Sequence, residues 1–268
     1  MRIGLIGFGT IGRAVAKAVD DGQAGDVEIS SILVRDTSKI DLKDTDRTRE
    51  KLTSDSRRFF SDDIEVVVEA AGHGALKQYA EYALRSGRDL LAVSVGALAD
   101  EAFLALIRVA AKETRQNVLI PSGALGGLDA ISSAAFGEID EVVLEVRKPV
   151  AAWIGTPAET VALQATDEPV CFYSGKAREA VIAFPQNVNV LAALSLAGIG
   201  FDRTEVKMFV DPCTTHNTFH LSSRGEFGEV KLTLKNVPNP ENPKTGRLVV
   251  MSLTKAIKRL TDRVIVGF

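Results

Sequence analysis

At 268 residues the chain is long enough to bury a substantial core, as two domains or one elaborated one. Apolar residues make up 46% and charged residues 25%, the balance of an ordinary globular protein, and the net charge of −3 gives no support for general nucleic-acid binding. No uninterrupted apolar stretch reaches roughly 18 residues, and the first apolar segment is broken at once by glycines, so neither a membrane span nor a signal peptide is expected. Cys171 and Cys213 lie far apart without metal-ligand spacing, which predicts buried or indifferent thiols in a reducing cytoplasm.

The chain opens with MRIGLIGFGTIG. Ile3, Leu5 and Ile6 suit a short buried strand, and Ala14, Val15, Ala16 and Val19 follow at helical spacing. Between them Gly7, Gly9 and Gly12 form G-x-G-x-x-G, with Thr10 and Ile11 inside the motif. The first glycine permits the tight turn and the second lets a pyrophosphate approach the backbone. The third lets the helix pack close on the strand, and the helix start offers free N–H groups to phosphates. A dinucleotide, NAD or NADP, is the expected ligand. The next strand, 27–34, ends at Arg35 and Asp36, where a dinucleotide fold meets the adenosine ribose. An acid there holds the hydroxyls of NAD and an arginine pairs with the 2′-phosphate of NADP, so the adjacent pair leaves the cofactor open.

Residues 39–63 are dense in charge and read as an exposed crossover of loop and short helix. A buried strand follows at 64–71, ending in small residues; Ala71 there would let a cofactor lie across the strand end. Gly72, His73 and Gly74 read as a turn, with His73 more simply incidental than ligand-binding. Helix 76–86, strand 89–95, helix 101–113 capped by Asp100, and strand 117–120 complete the alternation of a parallel, doubly wound sheet.

From 121 the texture changes. PSGALGG suits a domain boundary or a loop whose amides line a ligand. A short helix over 128–136 and an alternating strand over 141–149 follow, then a turn at 171–176 and helices at 177–184 and 187–197. Residues 205–210, 218–223 and 228–234 read as strands of an open mixed sheet, 237–243 as irregular, and 244–260 as an amphipathic helix returning to the first domain. The fold class is therefore α/β. It comprises a Rossmann domain over 1–120, an α+β domain with an open mixed sheet over 121–238, and a C-terminal part over 239–268 that packs back on the first domain.

Five segments, GFGTIG, PSGALGGLDA, FPQNVNVLAAL, DPCTTHNTFH and NPENPKTG, resemble the L-aspartate dehydrogenase family, and the resemblance runs over nearly the whole chain. It implies oxidative deamination of L-aspartate with NAD or NADP, through iminoaspartate to oxaloacetate and ammonia. It also implies a cytoplasmic homodimer linked to NAD biosynthesis. By the same resemblance, His220 matches the active-site histidine, and Ala124 and Asn189 match positions on the nicotinamide side of the cofactor. Water attack on an imine needs a group titrating near neutrality, which agrees with a histidine. His216 lies four residues before His220, but the segment reads as a loop entering a strand, so a zinc pair is rejected and no metal is expected. Asp211 orients a histidine or anchors the turn before Pro212; Lys148 is a cation for a dicarboxylate or a salt-bridged or solvated lysine. Rival readings are a dehydrogenase of homoserine, a semialdehyde or a cyclic imine, and a non-catalytic cofactor-binding sensor.

Overall fold

A computed structural model describes residues 1–40, 46–185, 188–240 and 242–267. The chain divides into two compact units, one made of Met1–Pro121 with Val250–Val266 and one built on Ser122–Val249.

The first unit holds β1 (Arg2–Ile6), α1 (Thr10–Asp20), β2 (Glu28–Leu33), α2 (Asp46–Lys51), β3 (Leu52–Thr53), α3 (Ser56–Ser61), β4 (Val66–Glu69), α4 (His73–Arg85), β5 (Asp89–Ala92), α5 (Glu101–Thr114) and β6 (Val118–Leu119). Its six strands are all parallel in the order β3-β2-β1-β4-β5-β6. Strand order reverses between β1 and β4, and in open α/β sheets the ligand crevice lies beyond the strand ends at such a point. The central strands are buried on both faces, which is why they read as unbroken apolar runs. On α1, Gly12, Val15, Ala16 and Val19 form the buried stripe. The Asp100 carboxylate accepts from the Phe103 amide at 3.2 Å and caps α5.

The second unit holds α6 (Leu128–Ala134), β7 (Ile139–Lys148), α7 (Glu159–Gln164), β8 (Val170–Lys176), α8 (Ala177–Ala183), α9 (Asn189–Ala197), β9 (Glu205–Val210), β10 (Asn217–Gly225), β11 (Gly228–Asn236), β12 (Pro238–Asn239) and β13 (Asn242–Gly246). The mixed sheet runs β11-β10-β7-β9-β8, with β7 and β9 parallel and the other neighbours antiparallel. The last helix, α10 (Arg247–Arg259), buries Leu253 and Ile257 in the first unit's core beside Ile3, Leu5, Val15 and Ile29.

Several sequence expectations give way. Residues 171–176 form strand β8: Ser174 and Gly175 mimic a turn, but pairing with β9 decides the conformation. The segment expected to be irregular, 237–243, contains paired strand residues, because β12 and β13 pair there, while residue 241 lies outside the described ones; Pro238 is tolerated as the first residue of its strand. The last helix accordingly starts at Arg247 and not at Lys244. The charged crossover contains an edge strand, β3, and buries Phe59 and Phe60, whose rings meet edge to face at 5.0 Å; its residues 41–45 lie outside the described ones. His73 is the first residue of α4, not part of a free turn. Both cysteines are exposed. The expected helix start at Asn187 lies outside the described residues, and α9 runs from Asn189. No described helix is long and apolar enough to cross a membrane.

Ile257 has no exposed surface, so Ile257→Ala leaves a cavity under the parallel sheet. The expected loss is about 2–5 kcal/mol of stability, read as a lower midpoint in urea unfolding, and an unchanged midpoint would remove α10 from the core.

Candidate functional site

In the first unit the residues of G-x-G-x-x-G lie where β1 turns into α1. Gly7 has φ +97°, and a Cβ on it would come within 2.7 Å of Ala71 Cα at the end of β4. Only glycine lets these two strand ends touch. A Cβ on Gly12 would run into the Gly7 carbonyl, so the third glycine is set by the closeness of α1 to β1. Gly9 is different. It is the N-cap of α1, it makes no side-chain cap bond, and a Cβ on it would meet no atom within 4 Å. The first turn of α1 carries no acidic residue. Open space above backbone amides at a positive helix end fits a pyrophosphate.

Beyond β2, Arg35 is exposed. The Asp36 carboxylate accepts from the Ser38 amide at 3.0 Å and the Ser38 hydroxyl at 2.7 Å and caps a turn of 3₁₀ helix over Thr37–Lys39. The hydroxyl and amide of Ser38 hold this carboxyl below the usual aspartate value.

One residue of this region escapes sequence reading. Glu69 closes β4, has no exposed surface, and its carboxylate accepts from the amides of Ala71, Gly72 and Ser94 and from the Ser94 hydroxyl. An acid at the end of a run of valines was the only signal. The Ala71 amide is thus already taken, while Ala71 itself is exposed.

In the second unit strand alternation sorts the candidates. Phe219 and Leu221 are buried on one face of β10, opposite Val146 and Leu144 of β7 and Leu234 and Leu232 of β11. The 121–127 loop lies over that face: Asn236 Nδ2 donates to the Ala124 carbonyl at 2.7 Å, and Cβ atoms on Gly126 and Gly127 would meet Leu232 and Leu234. Helices α6 and α9 cover the same face, since a Cβ on Gly198 would meet Ile131 and Val142. Ala124 is buried, and Asn189 is the first residue of α9, half-buried.

His220 faces the other way. Its neighbours across the strands are Thr233 and Glu145, and its Nδ1 shares a hydrogen bond with Thr233 Oγ1 at 2.9 Å. Arg147 shares this face, bonded to Glu145, with its guanidinium 4.3 Å from the Phe209 ring centroid and 4.0 Å from the Asp211 carboxylate. The structure therefore puts Ala124 and Asn189 on elements of one face and His220 on the opposite one. Lys148 is neither solvated nor at the surface. It is 3% exposed on the helix-covered face, its ammonium 5.5 Å from the Trp153 ring centroid.

Residues 7–121 match the family model described as the homoserine dehydrogenase NAD-binding domain, and residues 129–260 match that of the aspartate dehydrogenase C-terminal part. An L-aspartate dehydrogenase of Methanocella arvoryzae is 39% identical over 99% of both chains, and one of a Polaromonas species is 38% identical over 96% of both. The chain belongs to the L-aspartate dehydrogenase family. The crystal structure of aspartate dehydrogenase from Thermotoga maritima matches 100% of this chain and 99% of its own, at 26% identity and a TM-score of 0.76. A scyllo-inositol dehydrogenase of Lactobacillus casei, solved with NAD(H) and scyllo-inositol, shares the fold at 14% identity and a TM-score of 0.54, over 100% of this chain and 92% of that one.

Within this family fold the close approach at Gly12 is directly testable. Gly12→Ala should destabilise the protein by about 1–3 kcal/mol through overpacking and weaken NADH binding, read by urea unfolding and fluorescence titration. A variant as stable as wild type would show that α1 has room to move off β1.

Proposed function

We propose that this protein catalyses the NAD- or NADP-dependent oxidative deamination of L-aspartate, and the reverse amination. The product iminoaspartate is hydrolysed to oxaloacetate and ammonia. The observation that carries this reading is similarity over the full chain to relatives named L-aspartate dehydrogenase. In support, the start of α1 has the open backbone that a pyrophosphate requires. The nicotinamide supplies the hydride acceptor; the protein supplies binding and orientation.

In this reading residues 1–120 bind the dinucleotide and residues 121–238 serve catalysis and dimerisation. Gly7, Gly9, Thr10, Ile11 and Gly12 meet the pyrophosphate, Ala71 borders the cofactor, and Ala124 and Asn189 contact its nicotinamide side. The protein acts as a cytoplasmic homodimer on small molecules and feeds NAD biosynthesis.

The testing experiment is initial-rate formation of reduced cofactor at alkaline pH from a panel of L-amino acids, with NAD and with NADP. A rate for L-aspartate well above the others is expected. Silence across the panel with cofactor still binding would favour a semialdehyde or imine substrate, or a sensor.

Arg35 supports use of NADP, because it is exposed while Asp36 is occupied in its own cap. Arg35→Ala should raise the KM for NADP about tenfold or more, the worth of a charge-assisted hydrogen bond, and leave the KM for NAD little changed. Equal effects on both cofactors would take Arg35 away from the 2′-phosphate.

The resemblance gives the proton transfer of imine hydrolysis to His220. Its accessible imidazole, bonded through Nδ1 to Thr233 Oγ1, supports that role. His220→Ala is expected to abolish deamination of L-aspartate while cofactor binding survives, read by initial-rate formation of reduced cofactor and by NADH titration. Turnover within about tenfold of wild type would take the proton transfer away from His220.

A further inference from the structure

Glu69 is the most fully engaged buried acid among the described residues, and nothing in the reaction chemistry calls for it. Its side chain has no exposed surface. Oε1 accepts from the Ala71 amide at 2.7 Å, the Gly72 amide at 2.8 Å and the Ser94 hydroxyl at 2.9 Å, and Oε2 accepts from the Ser94 amide at 3.0 Å. A buried carboxylate is retained only where donors replace its water, and here four do. An apolar side chain in this place would leave three backbone amides without that acceptor.

The bonds tie together two strand ends. Ala71 and Gly72 follow β4, Ser94 follows β5, and these strands are neighbours beside the point where the order reverses next to β1. Ala71 in turn stands against Gly7, the first glycine of the dinucleotide motif. Gly72 is held at φ +135° as the N-cap of α4. The carboxylate also draws the amides of 71 and 72 inward, beneath the turn. That leaves the start of α1, with its open Gly9, as the amide cluster offered to the cofactor phosphates.

We propose that Glu69 is the positioning residue of the cofactor site: its buried carboxylate fixes the Ala71–Gly72 turn against Gly7 and so shapes the crevice in which the dinucleotide lies. The proposal rests on the reading of this unit as a dinucleotide-binding one. All four partners donate, so an acceptor-only carboxylate suits the site and an amide of the same shape does not. Glu69→Gln changes no volume, yet it must aim an N–H group at a donor.

The experiment is fluorescence titration of NADH and NADPH into wild type, Glu69→Gln and Ser94→Ala, with circular dichroism and thermal melting of each. Glu69→Gln should raise Kd for both cofactors about tenfold or more in protein that is still folded, and Ser94→Ala, which removes one bond of the four, about threefold. A purely structural Glu69 predicts a lower Tm with Kd unchanged below the melt. Should Glu69→Gln fail to fold, Ser94→Ala decides alone. A Kd within about twofold of wild type in every folded variant overturns the proposal. Wild type that binds neither NADH nor NADPH overturns the dinucleotide reading itself, a separate result.

Discussion

Backbone packed directly on backbone is the constraint on which the first unit depends. At Gly7 the chain turns out of β1 so close to Ala71 that no side chain fits between, and at Gly12 the helix comes down on the carbonyl of the same turn. These contacts fix three things together: where β1 ends, where α1 begins, and where the end of β4 stands. Side-chain packing then follows. Val15, Ala16 and Val19 reach the sheet because α1 lies close to it, and α10 fills the remaining space with Leu253 and Ile257. The open space above Gly9 is a product of the same closeness. It is the one glycine of the motif where nothing in the protein needs the room, which leaves it to a ligand.

Burial of charge follows the same logic in both units. Glu69 is held under a turn by four donors, and Lys148 lies over the ring of Trp153 on a face otherwise composed of Val142, Leu144 and Val146. Each sits at the last residue of its strand. Strand ends are where a sheet leaves off and loops begin, and at Glu69 the buried carboxylate orders the turns that follow β4 and β5 through their amides. Surface pairs such as Lys17 with Asp21 and Lys176 with Glu205 are of another kind, exposed and worth little to stability.

In the second unit the period of two along a strand decides which residues share a surface. Phe219 and His220 are adjacent in the chain and face opposite ways, one toward the 121–127 loop and helices α6 and α9, the other toward Thr233, Glu145 and Arg147. A shift of one residue in a motif is invisible when the motif is read as a string, and it reverses the chemistry that each face presents. The family assignment is insensitive to such a shift because it rests on the whole length of the chain.

By itself the sequence determined the alternating strands and helices of the first unit, its glycine motif, the cap at Asp100, the strand 205–210 and the return of the last helix. Each of these is legible in local periodicity or in a residue with one conformational use; for the last helix the apolar stripe is local, and its packing beside Ile3 and Leu5 is what the fold adds. Tertiary structure decided what needs a partner: that 171–176, Pro238–Asn239 and Asn242–Gly246 are strands, because ladder bonds outweighed their turn-like residues; that Phe59 is buried inside a charged crossover; that Glu69 and Lys148 are interior; and that His220 turns away from Ala124. The physical reason is common to all of them. Propensity and spacing are written along the chain, whereas burial, strand pairing and the facing of a side chain are properties of what the rest of the chain brings alongside.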